Sequence, residues 1–521
     1  MRAPCWAIAG VLFVGFAAAR PAAADDGYCV VVSQATQDDR QWKPVVDALV
    51  AKHRAAVLTF ERSVDESLSG LRRQRPRYVC FVAKPTEATR EFVAGVNRLT
   101  RRIDDDPYVD AIWGILTGYD AACALRIARH KEPLVIHRVA AGTEVELTMC
   151  DEGVWYCELQ QGRMVRKQPG KKPEEAKAPP DTTQALVDAL GVYRAELFVT
   201  SGHATERDWQ IGYRYRNGQF RSAAGGLFGV DTRGRRLPIR SDNPKVYLPV
   251  GNCLMGHIDG PDAMALAFLN SAGVYQMIGY TVPTWYGYGG WGLLDYFFEQ
   301  PGRFTLAEAF FANQQALLHR LETYFPGIAA EADPNKLAGD RALSPQARAA
   351  GLTPSDARGL LYDRDHLAFY GDPAWSARMA PGPLSWEQSL DEKQGEYRFE
   401  IRPLRAERSF APVNTNGSQR GGRPIVQLLP HRIRAQSVRI SEGADLDPLV
   451  TDNFILVPLP RKWEAQRPYR VVFRAEREKG TGTVAAESIG SVTTSGATEP
   501  VPIGSVTTGR ATEPVPFSRG G

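Results

Sequence analysis

A histidine and a cysteine fifty positions apart are the residues of this sequence best suited to chemistry. His203 follows a short apolar run at 197–200, and Cys253 follows another at 246–250. A thiol beside a basic imidazole can attack a carbonyl carbon, provided that backbone N–H groups stabilise the oxyanion that develops. The pair therefore predicts nucleophilic thiol catalysis, on the condition that the two apolar runs form neighbouring strands.

Each of these residues also has a plain structural interpretation. A cysteine at the end of a strand is often a buried packing residue, and a histidine after a glycine is often only part of a loop. His257, four residues after Cys253, offers a competing base or a metal ligand, although Gly256 predicts a turn between them. The sequence has no CxxC pair and no histidine pair at zinc spacing, so we expect no structural zinc site.

Strand and helix patterns alternate along most of the chain. Apolar runs at 28–33, 56–60 and 77–82 surround a helical periodicity at 42–52, and a second stretch of the same kind begins at residue 183. Short apolar strands that alternate with helices predict an α/β protein with a parallel sheet covered by helices on both faces. Functional groups in such a sheet collect at the carboxyl ends of the strands, which is where both reactive residues stand.

Two segments interrupt this pattern. The residues at 144–160 predict a hairpin, in which Cys150 and Cys157 flank the turn and could form a disulfide in an oxidising compartment. The Lys-, Pro- and Glu-rich segment 167–181 predicts an exposed linker, either a solvated spacer or a processing site.

The C-terminal part of the sequence has a different character. Beyond residue 390 strand patterns follow one another without a good helix, which predicts a small β-sandwich. The repeat of 489–502 at 503–516 is rich in Gly, Ser, Thr and Pro, and two copies cannot form a solenoid. We therefore expect a disordered tail over 477–521.

The first 24 residues have the pattern of a secretory signal peptide. Arg2 precedes an apolar run at 6–19, and three alanines stand before Asp25. The run is shorter than the roughly 20 residues of a membrane-spanning helix. We therefore expect export without a transmembrane span, to the periplasm or the exterior.

The composition of the 521 residues limits the class of protein. Hydrophobic residues make up 43% and charged residues 23%, which is ordinary for globular proteins and excludes a wholly disordered chain or a multi-span membrane protein. The 63 basic and 59 acidic residues give a net charge of only +4, which does not favour nucleic acid as a partner.

The ordered motifs around the two reactive residues resemble those of the gingipain-like cysteine peptidases, in the clan of caspases, legumains and clostripain. The histidine motif is 199–209 (VTSGHATERDW) and the cysteine motif is 250–256 (VGNCLMG). A Gly-Asp-Pro motif at 371–373 resembles the one that closes the family's peptidase domain, and 106–114 resembles a strand of its N-terminal subdomain. The resemblance extends over about residues 28 to 380.

The resemblance implies a caspase-like α/β/α sandwich in two subdomains followed by an Ig-like all-β sandwich. Together with the patterns described above, it divides the chain into a signal peptide at 1–24, an N-terminal subdomain at 25–166, the linker at 167–181, a catalytic subdomain at 182–385, the β-sandwich at 390–476 and the tail at 477–521.

The resemblance also implies a reaction, the hydrolysis of peptide bonds through a thioester. Cys253 attacks the scissile carbonyl and His203 assists proton transfer to the leaving amine, while the N–H groups of Cys253 and Ala204 hold the oxyanion. Asp110 is expected to orient His203. The family usually has glycine directly after the histidine; Ala204 keeps the N–H but is strained if its φ must be positive.

The segment 280–291 is expected to line the substrate groove, with Thr281, Trp285 and Tyr286 in contact with the substrate. The alternative is that these aromatic side chains belong to the domain core. No acidic residue can be placed at the pocket that gives gingipains their preference for Arg or Lys, so that specificity is not carried over.

The predicted function is an exported cysteine endopeptidase with a polypeptide substrate and no required cofactor. Two alternatives stay open: a catalytically silent relative that binds a protein or cell-surface partner, and a thiol-dependent acyl transfer such as transpeptidation. The acidic run 104–106 could contribute to a calcium site, but a solvated acidic turn is the more common case and no specific calcium motif is present.

Overall fold

The structure, a computed structural model, describes residues 27–326, 328, 343–459 and 467–478. The predicted signal peptide and the predicted repeat tail beyond residue 478 lie outside the described residues. None of the helices in the described part of the chain has the length and apolar character needed to cross a membrane.

The α/β region contains eleven α-helices and eighteen strands among the described residues. The helices are α1 (Gln34–Gln37), α2 (Lys43–His53), α3 (Leu68–Gln74), α4 (Arg90–Leu99), α5 (Ala121–Arg129), α6 (Thr183–Gly191), α7 (Met264–Ser271), α8 (Tyr288–Leu293), α9 (Leu306–Tyr324), α10 (Pro345–Ala349) and α11 (Pro354–Arg364). The strands are β1 (Tyr28–Ser33), β2 (Ala56–Phe60), β3 (Tyr78–Val82), β4 (Ile112–Leu116), β5 (Leu134–Ile136), β6 (Arg138–Ala141), β7 (Glu152–Tyr156), β8 (Arg163–Lys167), β9 (Glu174–Lys177), β10 (Leu197–Thr200), β11 (Asp208–Gln210), β12 (Gln219–Ala223), β13 (Gly226–Val230), β14 (Arg236–Ile239), β15 (Lys245–Pro249), β16 (Val274–Tyr280), β17 (Leu367–Tyr370) and β18 (Ala377–Met379).

Seven further strands form the C-terminal region. They are β19 (Trp386–Lys393), β20 (Glu396–Pro403), β21 (Ile425–Leu428), β22 (Arg439–Glu442), β23 (Leu449–Val450), β24 (Phe454–Val457) and β25 (Tyr469–Arg474). They pair as a four-stranded sheet, β19-β20-β25-β22, and a three-stranded sheet, β21-β24-β23. The two sheets share one core, to which Phe399, Val457 and Phe473 contribute.

One twelve-stranded sheet organises the α/β region, in the order β2-β1-β3-β4-β17-β16-β15-β10-β6-β7-β8-β9. Most neighbours are parallel, but β16 and β17 pair antiparallel, as do β7, β8 and β9. The strands on the two sides of the β16–β17 junction therefore run in opposite directions. The predicted α/β class is confirmed as a mixed α/β protein with a large, mostly parallel sheet and small antiparallel sheets.

The central strands are apolar along their whole length, and the structure gives the reason. Every residue of β1, β10, β15 and β16 is buried, as is typical of strands covered on both faces. Such strands cannot show a simple alternation of apolar and polar residues, since neither face meets water.

A small antiparallel sheet, β11-β12-β13-β14, occupies most of the sequence between the two reactive residues. Trp209 of β11 and Phe220 of β12 pack on Phe198 of β10, with ring centroids 6.0 and 6.2 Å away. The Trp209 indole N–H also donates to the carbonyl of Ser201, at 2.8 Å. The insertion is thus attached to the strand end that carries His203.

The predicted hairpin at 144–160 and its disulfide are wrong. β7 pairs in parallel with β6, and all six described cysteines are free thiols. Cys150 precedes β7 and Cys157 follows it, so the two lie roughly 20 Å apart along an extended strand, at about 3.3 Å per residue. A disulfide needs Cα atoms within about 7 Å of each other.

The predicted linker at 167–181 is exposed for most of its length, but it is not a simple spacer. Its residues Glu174–Lys177 form β9, which pairs antiparallel with β8 at the end of the large sheet. Main-chain hydrogen bonds therefore attach the middle of this segment to the domain.

Candidate functional site

The strands that precede the two reactive residues are direct neighbours. β10 and β15 pair in parallel, with Thr200 opposite Pro249 at their carboxyl ends. His203 lies three residues beyond the end of β10, and Cys253 lies four residues beyond the end of β15. The structure therefore brings both residues to the same edge of the sheet.

The buried side chain of Asn252 links the two loops at this edge. Its amide nitrogen donates to the carbonyl of Gly202, at 2.9 Å, and its amide oxygen accepts from the Thr200 hydroxyl, at 2.6 Å. The hydroxyls of Thr200 and Tyr247 are also within hydrogen-bonding distance, at 2.9 Å. Asn252, the residue before Cys253, is thus hydrogen-bonded to Gly202, the residue before His203.

Sequence reasoning did not single out Asn252. Its position in the sequence could have identified it, because Asn252 lies between a buried strand and Cys253. A polar amide that is buried at such a position needs hydrogen-bond partners. Those partners belong to the neighbouring strand, which is fifty residues away in the sequence.

Cys253 is partly buried and lies against the chain that follows β16. Its sulfur accepts a hydrogen bond from the N–H of Thr284, at 3.2 Å, and the Thr284 hydroxyl donates to the carbonyl of Asn252, at 3.0 Å. Burial raises the pKa of the Cys253 thiol, and the hydrogen bond from Thr284 opposes only part of that effect. The thiol is therefore protonated at neutral pH.

Leu254, directly after Cys253, has a left-handed backbone with a φ of 59°. Bulky side chains rarely adopt this conformation, and it turns the chain sharply away from Cys253. The Leu254 N–H donates to the carbonyl of Val282, at 3.2 Å, which holds the turn against the chain after β16.

His203 is exposed and lies against an aromatic ring. Its imidazole stacks on Tyr213, with ring centroids 4.7 Å apart and an angle of 27° between the planes. Among the described residues, no hydrogen bond joins His203 to Cys253 and no carboxylate bonds to its ring. The two groups therefore do not form a preformed thiolate–imidazolium pair.

The two N–H groups predicted to hold the oxyanion are available for a ligand. Neither the Ala204 N–H nor the Cys253 N–H has a hydrogen-bond acceptor among the described residues. The left-handed position in the histidine loop is Gly202, with a φ of 96°, whereas Ala204 has no positive φ. Alanine is therefore unstrained at position 204 and supplies the same donor that a glycine would.

The prediction that Asp110 orients His203 is wrong. Asp110 precedes β4, and three strands separate β4 from β10 in the sheet, which places them about 19 Å apart at about 4.8 Å per strand. The buried Asp110 carboxylate instead accepts from the N–H groups of Ile103 and Asp104, at 2.9 and 3.2 Å. Burial, together with Asp104, raises its pKa.

Two of the three residues predicted to contact the substrate are buried. The N–H and hydroxyl of Thr281 both donate to the carbonyl of His366, at 2.9 and 3.2 Å. The buried ring of Tyr286 lies against Gly359, and its hydroxyl donates to Asp356, at 3.0 Å. Both side chains make their hydrogen bonds inside the fold.

Of the three residues predicted to contact the substrate, Trp285 is the exposed one. The residue is 42% exposed, and its ring contacts those of Tyr286 and Tyr362, with centroids 5.8 and 5.9 Å away. Since Trp285 directly follows Thr284, which contacts the Cys253 sulfur, its ring stands on the cysteine side of the site.

His257 does not lie where it could act as a base toward Cys253. Its Nδ1 lies 3.5 Å from a guanidinium nitrogen of Arg90, and burial followed by Arg90 lowers its pKa. Among the described residues, no hydrogen bond joins it to Cys253, and the group of three potential metal ligands that the structure contains lies elsewhere.

That group is Asp104, Asp106 and Asp452, whose carboxylate oxygens lie within 4.8 Å of one another. Asp452 also forms an ion pair with Arg432, so a protein cation already compensates part of the charge. Burial, with Asp104, raises the pKa of Asp106 to about 7. The cluster alone is insufficient to assign a calcium site.

Comparison with protein-family models, with curated proteins and with solved structures found no match. The function of the chain is therefore inferred from its residues and their geometry.

Proposed function

We propose that this chain is an exported cysteine endopeptidase of the gingipain-like type, with Cys253 as nucleophile and His203 as the residue that transfers the proton. The main support is the pairing of β10 with β15, which delivers both residues to one sheet edge. The resemblance of the histidine and cysteine motifs supports the same reaction. A caspase-like α/β/α fold is part of this proposal, and the large, mostly parallel sheet is compatible with it.

The reaction begins when an extended peptide enters the groove. The Cys253 thiol transfers its proton to His203 and attacks the scissile carbonyl, forming a carbon–sulfur bond. The carbonyl oxygen becomes an oxyanion, to which the N–H groups of Ala204 and Cys253 donate. His203 then gives the proton to the leaving amine as the carbon–nitrogen bond breaks, and water hydrolyses the thioester.

The resting site is adapted to activation by substrate. The raised pKa of Cys253 keeps the thiol neutral, and the exposed imidazole of His203 is not yet bonded to it. A bound peptide excludes water from both groups, and the Asn252 link maintains the relative position of the two loops.

The experiment that tests this proposal is labelling with acyloxymethyl ketone peptide probes, followed by mass mapping of the adduct. We expect an adduct on Cys253 that is absent in Cys253→Ala and strongly reduced in His203→Ala. His137→Ala is the matched control, because His137 is also exposed but pairs with Asp151. Absence of any adduct on Cys253 in a folded, reduced sample would contradict the proposal.

A catalytically silent protein that binds a partner through the same groove is the second candidate. It is favoured by the neutral thiol and by the absence, among the described residues, of a carboxylate bonded to His203. Under this alternative Cys253→Ala leaves binding intact and the wild-type protein hydrolyses no peptide.

A further inference from the structure

The large apolar side chains that the structure leaves exposed are few, and two of them lie at the candidate site. Among the described residues they are Val57, Val135, Leu159, Val192, Tyr213, Trp285, Leu404 and Ile440. Tyr213 and Trp285 are the aromatic members of this set, with 44% and 42% of the residue exposed. Exposed aromatic rings beside reactive residues are typical of binding surfaces, because they supply large apolar contact area.

Tyr213 defines the histidine side of the site. One face of its ring stacks on His203. Its N–H donates to the carbonyl of Glu158, at 2.6 Å, and the Glu158 carboxylate accepts from the hydroxyl of Thr143, at 2.7 Å. The backbone of Tyr213 is therefore hydrogen-bonded to the chain that follows β7, which holds the ring beside the imidazole of His203.

Trp285 defines the opposite, cysteine side. The residue before it contacts the Cys253 sulfur, and the residue after it, Tyr286, is anchored by Asp356. The Trp285 ring also lies against Tyr362. Tyr362 is in turn close enough to Cys253 for an electrostatic interaction, so the Trp285 ring lies on the cysteine side of the site.

Two charged side chains in the loops that follow β10 and β15 are paired with each other. Arg207 and Asp259, in the loops after the two strands, form a two-pronged ion pair with N–O distances of 2.5 and 2.8 Å. The Arg90 guanidinium donates to the carbonyl of Thr281, at 2.8 Å. Among the described residues, no charged side chain hydrogen-bonds to the Cys253 sulfur. A pocket that selects a basic or acidic side chain needs an opposite charge facing the substrate.

We propose that the substrate is an extended polypeptide with uncharged, apolar side chains on both sides of the scissile bond. This inference depends on the proposed peptidase function. The residue that becomes the acyl group is attached to Cys253 and packs against Trp285. The residue that leaves receives its proton from His203 and packs against Tyr213.

The test is cleavage of a peptide library of mixed sequence by the full chain, with the new termini identified by mass spectrometry. We expect Leu, Met, Phe and Tyr to be enriched at both positions flanking the cleaved bond. Trp285→Ala should lower kcat/KM for these residues before the bond by about tenfold, and Tyr213→Ala should do so after the bond. Val192→Ala is the matched control, because it removes an exposed apolar side chain remote from the site.

The outcomes separate the two proposals. Cleavage beside Arg, Lys, Asp or Glu, or cleavage with no side-chain preference, overturns the substrate class and leaves the peptidase function intact. Loss of activity toward all peptides equally in both aromatic variants also overturns it. No cleavage of any peptide, together with no probe adduct on Cys253, overturns the proposed function itself.

Discussion

The side chain of Asn252 donates a hydrogen bond of 2.9 Å to the main-chain carbonyl of Gly202. This contact joins the residue directly before the candidate nucleophile to the residue directly before the candidate histidine. It joins the loops that follow two neighbouring strands, fifty positions apart in the sequence, and the Asn252 side chain that makes it is buried. Asn252, which has no role in the proposed reaction, therefore helps to set the relative position of Cys253 and His203.

We expect Asn252→Ala to lower kcat by about 10- to 100-fold and to destabilise the fold by about 1–3 kcal/mol, because it leaves the Gly202 carbonyl without its donor and the Thr200 hydroxyl with only Tyr247 as a partner. Steady-state kinetics and urea unfolding measure the two effects. Asn270→Ala is the matched control, since it removes a similar 2.9 Å bond, to Gly225, away from the site. Wild-type kcat in Asn252→Ala would show that the link does not position the site.

The reactivity of Cys253 should depend strongly on pH. Its raised pKa means less thiolate at pH 7 than a free cysteine has, so alkylation by iodoacetamide should be slow there and should rise to a plateau above the ordinary thiol pKa of about 8.5. His203→Ala should leave this profile of the free protein unchanged, since no hydrogen bond joins the two residues. A rate that is already maximal at pH 6 would indicate a preformed ion pair instead.

Asp372, in the Gly-Asp-Pro motif, should be essential for stability. Its buried carboxylate lies 2.9 Å from the ammonium of Lys52 and 2.8 Å from the ring of His53, and it accepts from the hydroxyl of Tyr28 at 2.8 Å. Asp372→Asn leaves Lys52 buried without its counter-ion, so we expect a loss of about 3–5 kcal/mol in unfolding free energy at pH 7. Asp47→Asn, in an exposed pair, should cost at most about 0.5 kcal/mol.

The contribution of Asp372 should also depend on pH. Burial raises its pKa, but Lys52 and His53 outweigh that effect and hold the pKa well below the usual range. The stabilisation is therefore fully present above the ordinary value of about 4, and it declines as the pH falls below it. Urea midpoints of wild type and Asp372→Asn should converge on acidification. Midpoints that stay equally far apart at pH 7 and pH 3 would contradict this assignment.

The contribution of Asp363 to stability should depend on pH in the opposite direction to that of Asp372. Burial raises its pKa to about 7, and one carboxylate oxygen accepts from the Gly289 N–H and the Tyr280 hydroxyl, at 2.8 and 3.1 Å. The other oxygen has no donor among the described residues, and Asp363 lines a cavity of about 20 Å³ together with Asn313 and Gln314.

We therefore expect Asp363→Asn to be as stable as the wild type or more stable at pH 8, because the amide stays neutral and adds a donor facing acceptor oxygens. In the wild type the folded state binds the extra proton between about pH 4 and pH 7, so the Asp363 contribution to stability falls as the pH rises through that range. Thermal unfolding from pH 4 to pH 8 should show a smaller decline in Asp363→Asn. An unchanged slope would rule out Asp363 as the titrating group.

Local sequence patterns were sufficient to predict part of the fold and part of the candidate site. The apolar runs before His203 and Cys253 predicted two strands that end in reactive residues, and the structure contains both strands as β10 and β15. Such patterns are readable because helices and strands depend on side chains a few residues apart. The alternation of strands and helices likewise predicted the α/β class.

Contacts between distant residues decided the rest. Asp110 precedes β4, which belongs to the same large sheet as β10 and β15. However, β17, which comes from the far end of the α/β region, separates β4 from the strands of the candidate site. Thr281 and Tyr286 are buried while Trp285 is exposed, because α11 and the residues around it cover the first two. Strand order and side-chain burial are set by packing across the whole chain. The sequence by itself therefore determined which residues could react, and only the tertiary structure decided which of their neighbours surround them.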